Sequence, residues 1–133
     1  MKIVKWVLIV IVILLFSVVV MFVVRGSKDD WIKNSKGVWI KHGNPQKIPD
    51  EVRIQQQMIE TADRTYQEAT VRGVDFSNGP CLGKINNDWV LDVAHDPRQP
   101  EDDKRQNQCS DYLSGSAKHF IEIDLNGKII RIK

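Results

Sequence analysis

The sequence predicts an α+β protein: a single transmembrane helix at the N-terminus, then a small domain with one amphipathic helix packed on an antiparallel sheet of about four strands. Three observations carry that expectation. Trp6 to Val24 is a run of nineteen residues with no charge and only Ser17 polar. From Pro49 to Arg72 apolar residues recur at helical spacing. After Gly73 the period becomes two, and the chain ends in two alternating apolar runs joined by Asn126-Gly127.

At ~1.5 Å rise per residue the first run makes a helix of roughly 28 Å, close to the ~30 Å hydrocarbon core of a bilayer. Its Val and Ile content weakens a helix in water, but lipid offers the backbone no partner other than itself. A soluble domain this small seldom hides a helix that is apolar all round. A cleaved signal peptide is the nearest rival, since Lys2 and Lys5 form a basic n-region. The apolar run, however, exceeds the usual h-region of about 7–15 residues, and Val24-Arg25-Gly26 before Ser27 is a poor cleavage site. The expectation is an uncleaved signal-anchor, with a basic flank at 1–5 and the lipid bilayer as partner of residues 6–24.

Two signals compete over orientation. Lys2 and Lys5 stand on one side of the span, and Arg25, Lys28, Lys33, Lys36 and Lys41 on the other. That count alone places the C-terminal domain in the cytoplasm. Cys81 and Cys109, the two cysteines of the chain, point the other way, because an even count suits one disulfide in an oxidising compartment. Such a bridge closes a loop of about 29 residues and stabilises the domain by ~3.5 kcal/mol through loop-closure entropy. The expectation is a single-pass protein of the cell membrane with its C-terminal domain extracytoplasmic. Beyond the span 17 basic residues balance 17 acidic ones, which argues against a nucleic-acid surface.

Residues 25–47 read as a juxtamembrane segment and 48–133 as the small α+β domain. Trp31-Ile32 and Val38-Trp39-Ile40 are β-prone runs around the turn sequence Asn34-Ser35-Lys36-Gly37, which predicts a hairpin. In the helix, Val52, Ile59, Ala62, Tyr66 and Ala69 form the apolar stripe, with Met58 and Thr65 on its flank, and Gly73 stops it. Leu82–Ile85 and Trp89–Ala94 around Asn86-Asn87 predict a second hairpin, with Trp89, Leu91 and Val93 on one face and Val90, Asp92 and Ala94 on the other. Residues 95–117 read as a long polar loop with a helical turn near Tyr112. At the C-terminus a two-residue Asn126-Gly127 turn sets Ile123 opposite Ile130, Ile121 opposite Ile132 and Glu122 opposite Arg131.

No GxSxG, CxxC, HExxH or glycine-rich phosphate loop is present. Asp92, His95 and Asp96 cluster at a strand end, and with His119 they are the candidates for a metal or catalytic site, although their spacing matches no specific motif. The plainer reading has these groups bonding the backbone of the following loop. Glu101-Asp102-Asp103 lacks the ligand spacing of a calcium loop and reads as solvated. No catalytic residue and no cofactor is assigned.

In outline the order of elements is similar to a type IV pilin. The family's Glu near the start of the apolar run is absent, however, and Gly43-Asn44-Pro45 breaks a continuous helical spine, so the resemblance is set aside. A helix followed by antiparallel strands is also similar in shape to cystatin-like folds, but no inhibitory motif of that family is present and no residue carries over. The expected function is a membrane-anchored extracytoplasmic binding or structural module. The alternatives are an envelope enzyme or metal-binding protein using Asp92, His95, Asp96 and His119, and a subunit of a complex with another membrane protein.

Overall fold

The computed structural model describes residues 2–26 and 29–133; Met1 of the predicted basic flank and Ser27 and Lys28 of the juxtamembrane segment lie outside the described residues. The chain divides into two compact units, Met1–Ile32 with Lys41–Lys47, and Lys33–Ile40 with Ile48–Lys133.

The first unit is dominated by helix α1, Lys2–Gly26. Its segment Ile3–Phe22, 20 residues, is long and apolar enough to cross a membrane, and none of it is buried against protein. Ser17, the polar residue in the run, donates its hydroxyl to the Ile13 carbonyl at 2.5 Å, which satisfies it inside the helix. The predicted hairpin follows as β1, Asp30–Lys33, and β2, Trp39–His42.

The hairpin's tip, residues 33–40, belongs to the second unit. Asn34 Oδ1 accepts the backbone N–H groups of Lys36 and Val38 at 2.9 and 3.0 Å, which closes the turn. Gly37 takes the left-handed conformation (φ 76°), and a Cβ there would collide with the Ile132 carbonyl. Gln55, buried at 4% exposure, fixes the tip to helix α2, Asp50–Val71. Its Oε1 accepts the Trp39 N–H at 2.8 Å and its Nε2 donates to the Gly37 carbonyl at 2.9 Å.

Helix α2 starts after Pro49, with Asp50 and Glu51 at the positive end of its dipole. It stops at Gly73 (φ 73°), where Val74 N–H reaches back to the Ala69 carbonyl at 3.0 Å, a Schellman closure. Val52, Ala62 and Ala69 are buried, and Met58, Ile59 and Tyr66 pack against the core, so the predicted stripe is the one that faces inward.

The sheet has four strands in the order β3-β4-β5-β6: Cys81–Lys84, Trp89–Val93, His119–Ile123 and Ile129–Ile132. The expectation of an antiparallel sheet needs correction at its centre. The pairs β3–β4 and β5–β6 are antiparallel, but β4 and β5 are parallel. The long segment between them makes this possible. An antiparallel neighbour is reached by a tight turn, whereas residues 94–118 are enough for the crossover of a dozen or more residues that a parallel neighbour needs. That crossover includes a 3-10 turn at Pro100–Asp103 and the short helix α3, Ser110–Leu113. It also covers the sheet's second face. Trp89, Leu91, Val93, Ile121, Ile123 and Ile132 form the core under α2, while Val90, Cys109, Ala117 and Phe120 form a second core on the opposite side, with Tyr112 against it.

The C-terminal hairpin keeps two of the predicted pairs, Ile121 with Ile132 and Glu122 with Arg131, but Ile123 faces Ile129 and not Ile130. A two-residue Asn-Gly turn requires positive φ at both residues. Only Gly127 has it (φ 80°), because no non-glycine residue among those described does. The chain instead turns over Asp124–Gly127, with Gly127 N–H donating to the Asp124 carbonyl at 2.9 Å and Asp124 N–H to the Lys128 carbonyl at 2.8 Å. The extra residue is taken up as a bulge that shifts the register by one.

Candidate functional site

On the face away from α2, one rung of the sheet carries four chemically active side chains. Cys81 pairs with Asp92, Asp92 with Glu122 and Glu122 with Arg131, so the row crosses all four strands. In-register neighbours share a face, which places these side chains next to one another. A cleft of about 120 Å³ opens over Asp92, Glu122 and Arg131 of this row, walled by Val90, Tyr112, Phe120, Arg98 and Cys109. Tyr112 meets Phe120 edge-on at 4.8 Å, and the Arg131 guanidinium lies 5.0 Å from the Phe120 ring centre.

Glu122 is the charged centre of the row, with a residue exposure of 2%. Each of its oxygens accepts one short charge-assisted bond at 2.6 Å, from Arg98 Nη1 and from Arg131 Nε. Arg98 arrives from the crossover and is held there from behind. Its Nε donates to Asp103 Oδ1 at 3.0 Å and its Nη2 to the Asp102 carbonyl at 3.3 Å.

Asp92 stands beside this pair without one of its own. Among the described residues no N–H or O–H donor bonds its carboxylate. Burial first, and then the Glu122 charge, push Asp92 up to about 7, against the pull of Arg98 and Arg131. Its Oδ1 lies 3.7 Å from Cys109 Sγ. Cys81 and Cys109 form a disulfide with Cα atoms 5.0 Å apart, and no described cysteine is free. The site therefore places a carboxyl group that exchanges its proton near neutral pH against a disulfide.

The other candidates predicted from sequence scatter. Because β4 and β5 are parallel, with Trp89 opposite His119 and Val93 opposite Ile123, His119 sits where β5 begins and His95 lies beyond the end of β4. They occupy opposite ends of the sheet. His119 stacks on Trp89 at 4.6 Å and its Nε2 is 3.6 Å from Asp88. His95 turns to Asp102, donating from Nδ1 to Oδ1 at 2.9 Å, and Asp96 is exposed. Asp92, His95, Asp96 and His119 thus form no common site. The grouping of three potential metal-ligating side chains among the described residues is Cys81, Asp92 and Cys109, and the disulfide occupies both sulfurs, leaving a single carboxylate.

Asp102 is not the solvated loop residue that its acidic neighbours suggest. It is 3% exposed and accepts the N–H groups of His95 and Gln99, the latter at 2.7 Å. Burial alone raises such a carboxyl, but these bonds and the His95 ring hold Asp102 below its ordinary range. Its signal was present in the sequence. Gln99-Pro100-Glu101-Asp102 has a polar N-cap, proline at the first helical position and an acid two residues on, which is a capping box. Arg98 offered no comparable signal, since its partner Glu122 lies 24 positions away.

Two larger grooves, of about 520 and 510 Å³, are lined by residues including Tyr66 and Ile129 and by Trp39, Trp89 and His119 respectively. Asp102 and Glu122 are the buried charged residues among those described, and of the three openings only the cleft over Asp92 is lined by one of them. No protein-family model, no curated protein and no solved structure matches this chain.

Proposed function

We propose that this protein is a membrane-tethered binding module: α1 spans the bilayer, and the disulfide-bonded domain stands on the oxidising, extracytoplasmic side with the Asp92–Glu122 cleft as its binding surface. The observation that carries the proposal is the bareness of α1, an apolar segment of 20 residues with none of its surface buried. Leaving large apolar side chains in water costs roughly 1.5–3 kcal/mol each, so a run of this length calls for lipid. The Cys81–Cys109 bridge supports the oxidising side over the cytoplasm, against the basic residues that follow the span. The cleft combines an aromatic wall with two arginines and two carboxylates, and its volume of about 120 Å³, below the roughly 300–1,000 Å³ of drug-sized ligand sites, suits a group of a few heavy atoms.

Extraction of membranes with alkaline carbonate tests the tether. The expected result is full-length protein in the pellet, its intact mass including residues 1–26. Changing both Leu14 and Leu15 to Arg adds roughly 2.5–3.5 kcal/mol per substitution to the insertion cost and moves the protein to the supernatant. Wild-type protein released by carbonate, or a mature chain lacking the first 26 residues, sinks the proposal.

A further inference from the structure

The two sulfurs of the disulfide stand in unequal surroundings. Cys81 is partly exposed, and the Gly83 N–H points at its sulfur at 3.2 Å, a donor that stabilises a thiolate there. Cys109 is 5% exposed, and its sulfur faces two oxygens, the Leu91 carbonyl at 3.4 Å and Asp92 Oδ1 at 3.7 Å. A thiolate at Cys109 would meet negative charge and a carbonyl dipole in a buried place, so this sulfur is stable only as a thiol. Its proton has a neighbouring source and sink in Asp92.

We propose that Cys81–Cys109 is a thiol–disulfide exchange pair, with Cys81 as the exchanging sulfur, Cys109 as the buried resolving sulfur and Asp92 as the acid–base group that serves Cys109. The co-reactant is an external thiol or dithiol, or the matching disulfide in the opposite direction. The external thiolate attacks Cys81 Sγ and forms a mixed disulfide as the Cys81–Cys109 bond breaks. The departing electron pair stays on Cys109 Sγ, which takes the proton of the Asp92 carboxylic acid, leaving Asp92 ionised. A second external thiolate then releases Cys81 as a thiolate, held by the Gly83 N–H, and the external pair becomes the oxidised product. In reverse, Asp92 takes the Cys109 proton as Cys109 closes the bridge.

The groups that face Asp92 fix how this depends on pH. Glu122 on β5 disfavours its ionisation, Arg131 on β6 and Arg98 from the crossover favour it, and Asp102 adds a weaker negative charge. On β3 the rung partner is Cys81 itself, while Lys84 is turned to Asp111 at 3.5 Å and Tyr112 of α3 lines the cleft. The acid form of Asp92 therefore fades as pH rises through neutrality.

This activity goes beyond the tethering and binding reading and is measured on purified protein, so either can fail alone. The full chain, oxidised in detergent micelles, is reduced by a small dithiol between pH 5.5 and 9, and each rate is divided by the concentration of dithiol thiolate. The expected wild-type constant falls about tenfold between pH 6 and pH 8, with its midpoint near the Asp92 value of about 7. Asp92→Asn keeps the shape of the side chain, and its constant is expected to be about tenfold lower at pH 6 and flat across the range. An Asp92→Asn profile equal to or faster than wild type overturns the proposal. Single-cysteine variants supply an independent check if that variant does not fold. The Cys81 thiol of Cys109→Ser should react with an aromatic disulfide at pH 7 about tenfold or more faster than the Cys109 thiol of Cys81→Ser. Equal or reversed reactivity overturns the assignment of the two sulfurs.

Discussion

Glu122→Ala is expected to lower the stability of the domain by about 3 kcal/mol, read as a fall in the urea midpoint of tryptophan fluorescence in the detergent-solubilised full chain. The size follows from what the side chain holds. Its carboxylate is 3% exposed and accepts both arginine bonds at 2.6 Å, so it joins β5, β6 and the crossover at one point. Removing one member of a buried ion pair costs about 3–5 kcal/mol because its partner is left without compensation. Here the Arg98 and Arg131 side chains are 37% and 53% exposed, and both recover water, which sets the loss at the lower end of that range. The same geometry predicts an asymmetry. Arg131→Ala should cost only about 1 kcal/mol, since Glu122 keeps Arg98 and the lost partner was already half in solvent. A Glu122→Ala loss no larger than that of Arg131→Ala would contradict the picture of Glu122 as the centre of the row.

Replacing Cys81 and Cys109 together by Ser is expected to cost a similar ~3.5 kcal/mol, set by the sequence separation of 28 residues. The bridge joins β3 to the crossover just before α3, so its loss frees the segment that carries Arg98, Asp102 and Tyr112 over the sheet. Adding reductant to wild-type protein should reproduce the loss and leave the double variant unchanged. If reductant shifts the double variant as far as wild type, or wild type not at all, the bridge does not hold the crossover.

Local signals made much of this fold legible. Helical spacing from Val52 to Ala69 and the stop at Gly73 located α2, and short β-prone apolar runs bounded by turn residues located β4, β5 and β6. The parts that could not be read were those decided at a distance. Whether β4 and β5 run parallel depends on how residues 94–118 cross the sheet, and no local pattern encodes that path. The exact register of the last hairpin turned on Asn126 not taking positive φ, a choice between two turns of similar sequence preference. Gln55 looks like one of three surface glutamines, Gln55 to Gln57, and its buried role appears only when the hairpin tip arrives to use both ends of its amide. The site shows the same division. Asp92 stood out from the sequence and so did the pairing of Glu122 with Arg131. The histidines first grouped with Asp92 lie elsewhere, and the groups that do surround it come from β3, β5, β6 and the crossover.

Differential thiol labelling in intact cells tests most directly whether the bridged domain is tethered outside the cytoplasm. Without reductant, neither a permeant nor an impermeant maleimide should label Cys81 or Cys109. After treatment with a membrane-impermeant phosphine, the impermeant maleimide should label the domain, at Cys81 ahead of the buried Cys109. Labelling of both cysteines by the permeant maleimide alone, before any reduction, with none by the impermeant one afterwards, would place the domain in the cytoplasm with free thiols and contradict the account.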